Sequence, residues 1–294
     1  MTENAGFDCR IGAQGFRLRK VGAGDTGQVE RLFARAFGQA PGEGWYRWKY
    51  GILGGQAVGL WNEDNELVAH YAGFPRTLLW QDNPLPAIQI GDVMVAPEVR
   101  GLFTRRGPMF LVYSGFVAER VGEGKPYTLS YGFPHERHMR LARHLRIYDD
   151  FGVLHQLAWP ARTARLPFGW SWSPLATGSH IEPPVESAWE AMRADLADHV
   201  IGVRDARYVI DRFVRRPDRG YHFFRLTRRL TGRTAALAIM RLEPGHAELI
   251  DVVGPRKFFP WVAQAATAEA VGHGAGYLTC WASEVAAAAW YECG

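Results

Sequence analysis

The stretch IQIGDVMVAPEVRGLFTRRG, residues 88–107, narrows the choice of folds more than any other part of the chain. Ile88, Ile90, Val93 and Val95 are β-branched and apolar and favour an extended chain. Pro97 ends that pattern, and Leu102 to Val121 returns to helical spacing. A strand, an arginine-bearing loop and a helix therefore follow one another. A helix starting near Thr104 or Gly107 turns its free backbone N–H groups back into the loop, where its dipole also favours an anion. Pro108 suits such a first turn, because the donor it lacks has no essential partner there. Arg100, Arg105 and Arg106 bring three permanent cations to the same mouth. The stretch reads as a site for the pyrophosphate of a coenzyme, with a solvated arginine face as the plainer alternative.

At 294 residues the chain is long for one domain and comfortable for two. Hydrophobic residues at 47% and aromatics at 13% place it among globular proteins. A net charge of +4, with no run of about five or six like charges, argues against nucleic acid as a partner and suits a phosphorylated ligand. The three cysteines, Cys9, Cys280 and Cys293, have no disulfide or zinc spacing, and no metal is expected; a reducing cytoplasm is the simplest home. No apolar leader or membrane-length apolar window occurs, so neither a cleavable signal nor a membrane partner is expected.

In order, Phe16–Val21 alternates as a strand, and Asp25 with Gln28 forms a capping box for a helix through Phe37. Trp45–Tyr50 reads as a short aromatic helix, and 57–61 and 66–80 as strands, the second interrupted at Gly73–Pro75. After the strand ending at Val95 and the long helix come a strand at 127–131, a helix at 135–145 and a strand at 148–159 that closes the first half. Residues 160–184, rich in Pro, Gly, Ser and Trp, read as a linker. A second half from 185 repeats the outline. Asp92-Val93-Met94-Val95-Ala96-Pro97 has its counterpart in Asp251-Val252-Val253-Gly254-Pro255, and Trp45–Tyr50 in Arg207–Phe213. Each half ends on an aromatic and a glycine four residues apart, Tyr148 with Gly152 and Trp290 with Gly294.

The string of strand, P-x-x-R-G loop, long helix, buried strand, helix and Tyr-x-x-x-Gly resembles the GCN5-related N-acetyltransferase (GNAT) superfamily, and the duplicated plan resembles its tandem members. Ser283-x-x-Ala286-x-x-x-Trp290-x-x-x-Gly294 is similar to the family's Asn-x-x-Ala-x-x-x-Tyr-x-x-x-Gly, and Trp48-Lys49-Tyr50 to a segment found early in tandem members. The family loop carries more glycines; here none follows Gly101 until Gly107. The family also adds one more strand after the position of Gly294. The fold so implied is α/β, two tandem GNAT-like domains, each a mixed, mostly antiparallel sheet with a splayed parallel pair flanked by helices. The expected boundaries are 1–159 for an acyl-CoA-binding domain, 160–184 for the linker and 185–294 for a non-catalytic, truncated second copy.

What the resemblance implies is transfer of an acetyl or other acyl group from acyl-CoA to a small-molecule or peptide amine, in a chain free to form a homodimer. Asp92 would be the general base and Tyr148 the acid that protonates the leaving thiolate. Backbone N–H groups near Met94 and Val95 would hold the oxyanion. Arg100, Gly101, Leu102, Phe103, Thr104, Arg105, Arg106 and Gly107 would cradle the coenzyme, and Trp48 and Tyr50 would wall the acceptor pocket. His135, Glu136 and His138 lack the spacing of a metal site. Two rival readings remain: a turnover-free binding module of the same fold, and an aminoacyl-tRNA-dependent peptidyl transferase, which the modest charge disfavours.

Overall fold

The computed structural model describes residues 6–100, 107–178 and 180–291. They divide into two compact units, one drawn from 1–78 and 84–150, the other from 79–83 and 151–294.

The first unit contains β1 (Phe7–Ile11), β2 (Gln14–Lys20), α1 (Thr26–Phe37), β3 (Gln56–Asn62), β4 (Leu67–Trp80), β5 (Asn83–Val95), α2 (Pro108–Arg120), β6 (Leu129–Tyr131) and α3 (Glu136–Leu145). Its sheet runs in the order β1-β2-β3-β4-β5-β6. β1 to β4 pair antiparallel, and β5 and β6 pair parallel. Gln81 and Asp82, with φ of 47° and 63°, make the tight turn between β4 and β5. From Leu67 to Gly73 every residue of β4 is buried, as an interior strand covered on both faces must be. The apolar faces of α1 (Val29, Leu32) and α2 (Val112, Phe116) close a core with Leu60, Trp61, Tyr71 and Ile88. Each fully buried aliphatic chain there contributes about 2 kcal/mol.

Several expectations change. Asp25 does not cap α1 as a box with Gln28. Its carboxylate accepts the Gly22 N–H at 2.9 Å and a two-pronged bond from Arg19, while Gln28 Oε1 takes the Leu67 N–H. An ion pair with Arg19 and the Leu67 amide at the start of β4 take the two side chains that the local box would have joined. β4 runs through Gly73 and Pro75 without a break; the side chains of Ile88 and Phe116 occupy the room a Cβ on Gly73 would need. Trp45–Tyr50 leads into a π-helical turn, Arg47–Ile52, closed by Leu53 N–H to Trp48 C=O at 2.9 Å.

The second unit contains β7 (Leu154–Pro160), β8 (Trp170–Pro174), α4 (Glu182–Asp195), β9 (Ile201–Gly202), α5 (Ala206–Val209), β10 (His222–Arg228), β11 (Thr234–Glu243), β12 (His246–Val253), α6 (Phe259–Gly272), β13 (Tyr277–Ser283) and α7 (Glu284–Tyr291). Its sheet runs β7-β13-β12-β11-β10-β8, antiparallel except for β12 and β13. α6 covers one face over Ala238, Met240 and Leu249, and α4 packs on the other over Leu237, Ile239 and Val253. A π-helical turn, Ile210–Val214, repeats that of the first unit.

The strand expected to close the first half is β7, and it pairs with β13 at the edge of the second sheet. The expected linker contains β8, whose tryptophans pack as strand residues. Trp172 stacks on Phe224 at 5.3 Å, and Trp170 lies 5.1 Å from both Phe258 and Trp261. The division therefore falls at 150, and residue 185 lies inside α4. Among the described residues no helix is long and apolar enough to cross a membrane.

One irregularity in the first sheet organises what lies around it. Asp92 has a φ of 50°, in the left-handed region, and its C=O accepts a bond from His70 Nδ1 at 2.8 Å. A carbonyl only accepts, so Nδ1 carries the proton and Nε2 is left as a bare acceptor. That atom is buried and has no partner among the described residues.

Two predictions follow from these interiors. Gly254 has a φ of 150°, and a Cβ there would lie 2.7 Å from Ala236 Cβ, so Gly254→Ala should cost the second unit about 1–3 kcal/mol. Gly272→Ala at the open end of α6 should be neutral or stabilising; urea unfolding of both variants checks the contrast. Burial holds the pKa of His70 below its ordinary value. The unfolded chain then binds the extra proton first, so this contribution is complete above about pH 6.5 and is lost as pH falls towards the folded pKa. The urea midpoint of the first unit should fall between neutral pH and about pH 5, and less steeply in His70→Gln.

Candidate functional site

β5 and β6 pair over only three steps, Ala87 with Leu129, Ile88 with Ser130 and Gln89 with Tyr131, while β5 continues to Val95. Beyond Gln89 that edge of β5 pairs with no strand among the described residues. The Ala96 N–H turns to β4, bonding Val68 C=O at 2.8 Å, and the alternation of an extended chain turns the amide of Val95 to the open side. The Met94 side chain is buried in the core. α2 starts at Pro108 behind an extended N-cap, Gly107, which has no side chain to cap the first-turn amides.

Of the expected coenzyme cradle, Gly101, Leu102, Phe103, Thr104, Arg105 and Arg106 lie outside the described residues. Arg100 is described, and its guanidinium is engaged by the chain itself: Nε donates to Val95 C=O at 2.8 Å and a terminal nitrogen to Ala36 C=O at 2.9 Å. Its observed work is to tie the loop back to the end of β5.

Asp92 is not a free carboxylate. One oxygen accepts from Lys49 Nζ at 2.6 Å, the other from the Tyr50 hydroxyl at 3.0 Å, and its side chain is 8% exposed. Lys49 also lies 5.0 Å from the Trp45 ring and 5.1 Å from that of Phe74. The second unit repeats the device with other residues. Asp251 accepts from Arg204 Nε at 2.9 Å and from the Tyr208 hydroxyl at 3.2 Å. An aspartate near the end of the strand, gripped by one cation and by one phenol from the helical segment before it, is thus common to both units, the second unit's cation, Arg204, coming from the loop that leads into α5. That recurrence marks Asp92 as a clamp between segments, where the resemblance implied a base.

The residues expected to wall an acceptor pocket are spent in the same assembly. Trp48 is buried, and Tyr50 stacks on Tyr46 at 4.5 Å while giving its hydroxyl to Asp92. Burial, followed by the charge of Asp92, pushes the Tyr50 pKa well above its ordinary value.

Tyr148 leaves α3 after the left-handed cap Arg146 and comes to rest half-buried among aromatic rings. Its hydroxyl lies 2.8 Å from that of Tyr71 on β4. The Tyr113 ring meets it edge-on at 6.1 Å, and the His138 ring lies parallel to it at 6.0 Å. Burial pushes Tyr148 up to about 12, against the lowering effect of Tyr71, and holds His138 below its ordinary value. Tyr148 is therefore a neutral phenol at physiological pH, with its proton in place.

The second unit's opening differs. β12 and β13 also pair over three steps only, but Trp290 stacks on Phe259, the first residue of α6, at 4.5 Å, and meets Trp159 at 5.7 Å. Arg256, just before α6, is held by the Asp195 carboxylate through its backbone N–H and its Nε. Burial pushes the Cys280 thiol up to about 12, leaving it unreactive.

Sequence reading missed His70, Tyr71, Lys49 and Tyr113. His70 and Tyr71 sit in a strand buried on both faces, where no alternation marks a special position. Lys49 stood between the two singled-out aromatics and carried a charge in an apolar segment, which was the one available signal. A surface cavity of about 490 Å³, lined by Gln28, Arg31, Arg35 and Asp64 among others, lies away from these groups, and Arg35 there is paired with Glu98.

Residues 17–153 match the family model for an acetyltransferase (GNAT) domain. No curated protein matches the chain in sequence. Among solved structures, the chain is similar to a conserved protein of unknown function from Enterococcus faecalis V583, described as a probable N-acyltransferase. That pair is 17% identical over 91% of this chain and 65% of the other, with a TM-score of 0.68. A GCN5-related N-acetyltransferase from Kribbella flavida is 18% identical over 94% and 66%, with a TM-score of 0.66. The chain spans just under two thirds of the length of both. Saccharomyces cerevisiae N-myristoyltransferase, solved with bound myristoyl-CoA, is 9% identical over 95% and 79%, with a TM-score of 0.55. At these identities the likeness is one of fold. The family match makes residues 17–153 a GNAT acetyltransferase domain, and the likeness to the solved GCN5-related N-acetyltransferases shows that the chain as a whole shares their fold.

Proposed function

We propose that the chain is an N-acyltransferase that takes an acyl group from acyl-CoA, bound in the first unit, and passes it to an amine. The observation that carries this reading is that the unit matching the acetyltransferase model holds both a short parallel β5–β6 pairing and a half-buried Tyr148 bonded to Tyr71. The described residues suit the donor. The open edge offers the Val95 amide to the amide-bearing arm of coenzyme A, and the first turn of α2 offers uncapped N–H groups to its phosphates. The attacking amine loses its proton to water, since Asp92 is committed to Lys49 and Tyr50. The developing oxyanion is met by the backbone amide on the open side of β5, and the departing thiolate takes the proton of Tyr148.

The second unit is read as non-catalytic, with Trp290 and Phe259 packed where α6 begins. A cytoplasmic setting fits acyl-CoA supply and the free thiols of Cys9 and Cys280.

Acetyl-CoA at about a hundred times its dissociation constant should stabilise the first unit by about 2.7 kcal/mol, read as a rise in Tm, while the second unit's transition stays put. Absence of any shift with acetyl-CoA and with longer acyl-CoA esters would sink the reading. Tyr148→Phe should lower kcat for thiol release by about a hundredfold with KM for acetyl-CoA unchanged. Full turnover in that variant would remove Tyr148 from the role of acid.

A further inference from the structure

The hydroxyl pair formed by Tyr71 and Tyr148 has a direction that donor counting can settle. Tyr71 has no exposed surface, and its hydroxyl has one hydrogen-bond partner among the described residues, the Tyr148 hydroxyl at 2.8 Å. A phenol carries a single proton and accepts through its lone pairs. Were Tyr148 the donor, the Tyr71 proton would be left in the core without an acceptor. The rings beside Tyr71 are those of Tyr113 at 5.8 Å and Phe116 at 5.3 Å, which offer at best a weak one. With Tyr71 as the donor, the interior is satisfied and the half-buried Tyr148 keeps its own proton unspent.

We propose that Tyr71 is a positioning residue for acyl transfer: it donates its hydroxyl proton to the Tyr148 oxygen and so leaves the Tyr148 proton aimed away from the core, ready for the leaving sulfur. This rests on the acyl-transfer reading above. In the step itself, the amine nitrogen bonds to the thioester carbon, the C–S bond breaks and its electron pair leaves on sulfur. Sulfur takes the proton of Tyr148. The phenolate so formed accepts the Tyr71 O–H, a bond that strengthens as the charge appears. The excess proton on nitrogen goes to water and water returns one to the phenolate, so the protons balance. The ring of Tyr113 from α2 and that of His138 from α3 hold Tyr148 in place, and neither makes a hydrogen bond to its hydroxyl among the described residues.

Tyr71→Phe removes one oxygen and keeps the ring. Thiol release from acetyl-CoA, with a small primary amine or water as acceptor, should lose about tenfold in kcat with KM for acetyl-CoA unchanged. In a Tyr148→Phe background the same substitution should cost nothing further, because a residue acting through Tyr148 has nothing left to act on. Unchanged kcat in Tyr71→Phe, or losses that multiply in the double variant, would overturn the proposal. A second arm needs no turnover. With a difluorotyrosine at position 148, whose ionisation is followed by absorbance, Tyr71→Phe should raise the pKa by about one pH unit or more. A pKa that stays put or falls shows that Tyr71 is not the donor. If the wild type neither shifts with acetyl-CoA nor releases thiol, the acyl-transfer reading fails, and the titration alone decides the direction of the bond.

Discussion

A carboxylate lodged between a cation and a phenol ties the helical segment of each unit to its sheet, and the surroundings of the opening depend on that tie. Taking Asp92 and Lys49 out of water is costly, and a short, two-sided arrangement offsets the cost where a single long contact would not. The π-helical turn matters to this geometry. Its wider winding places Lys49 and Tyr50, which are adjacent in sequence, on the two oxygens of one carboxylate. On the other side, His70 takes the carbonyl of the same residue, so Asp92 is held by its side chain and its backbone at once. A left-handed aspartate within a strand is sustained by this surplus of partners.

The two units share the tie and differ in what lies beyond it. Around Tyr148 the packing stops short of closing, and a phenol remains half-buried with its oxygen bonded to one other phenol. At Trp290, the position that the sequence pattern pairs with Tyr148, an indole stacks on Phe259 and carries no hydroxyl. Tryptophan there offers packing area and no phenolic proton.

Much of the fold could be read from residue order. β2 to β5, α1, β10 to β12 and the duplicated Asp-to-Pro segments carry plain signals in branching, proline position and turn residues. Reading failed where a partner lies far along the chain. Leu154–Pro160 looks like any short strand, and nothing in its residues says that β13 is its neighbour. Trp170 and Trp172 stand among proline, glycine and serine, so composition spoke for a linker until the pairing with β10 gave them a sheet. The candidate site was legible in outline through Tyr148 and Asp92. The role of Asp92 was not, because whether a carboxylate is free or clamped depends on which cation folds against it. Tyr71 gave no signal, since a polar tip on a buried strand residue acquires meaning only from the group it meets.

β7 precedes every other strand of its sheet yet sits beside the last of them, with Pro160 opposite Tyr277 and Leu154 opposite Ser283. Well over a hundred residues must leave the ribosome before that ladder can form. The sheet's opening strand therefore waits, unpaired on the β13 side, through the synthesis of all that follows it, and its joining is the most non-local closure in the unit. Along that strand Leu157 alone is buried, and Pro160 at its end has no N–H to offer a neighbouring nascent chain.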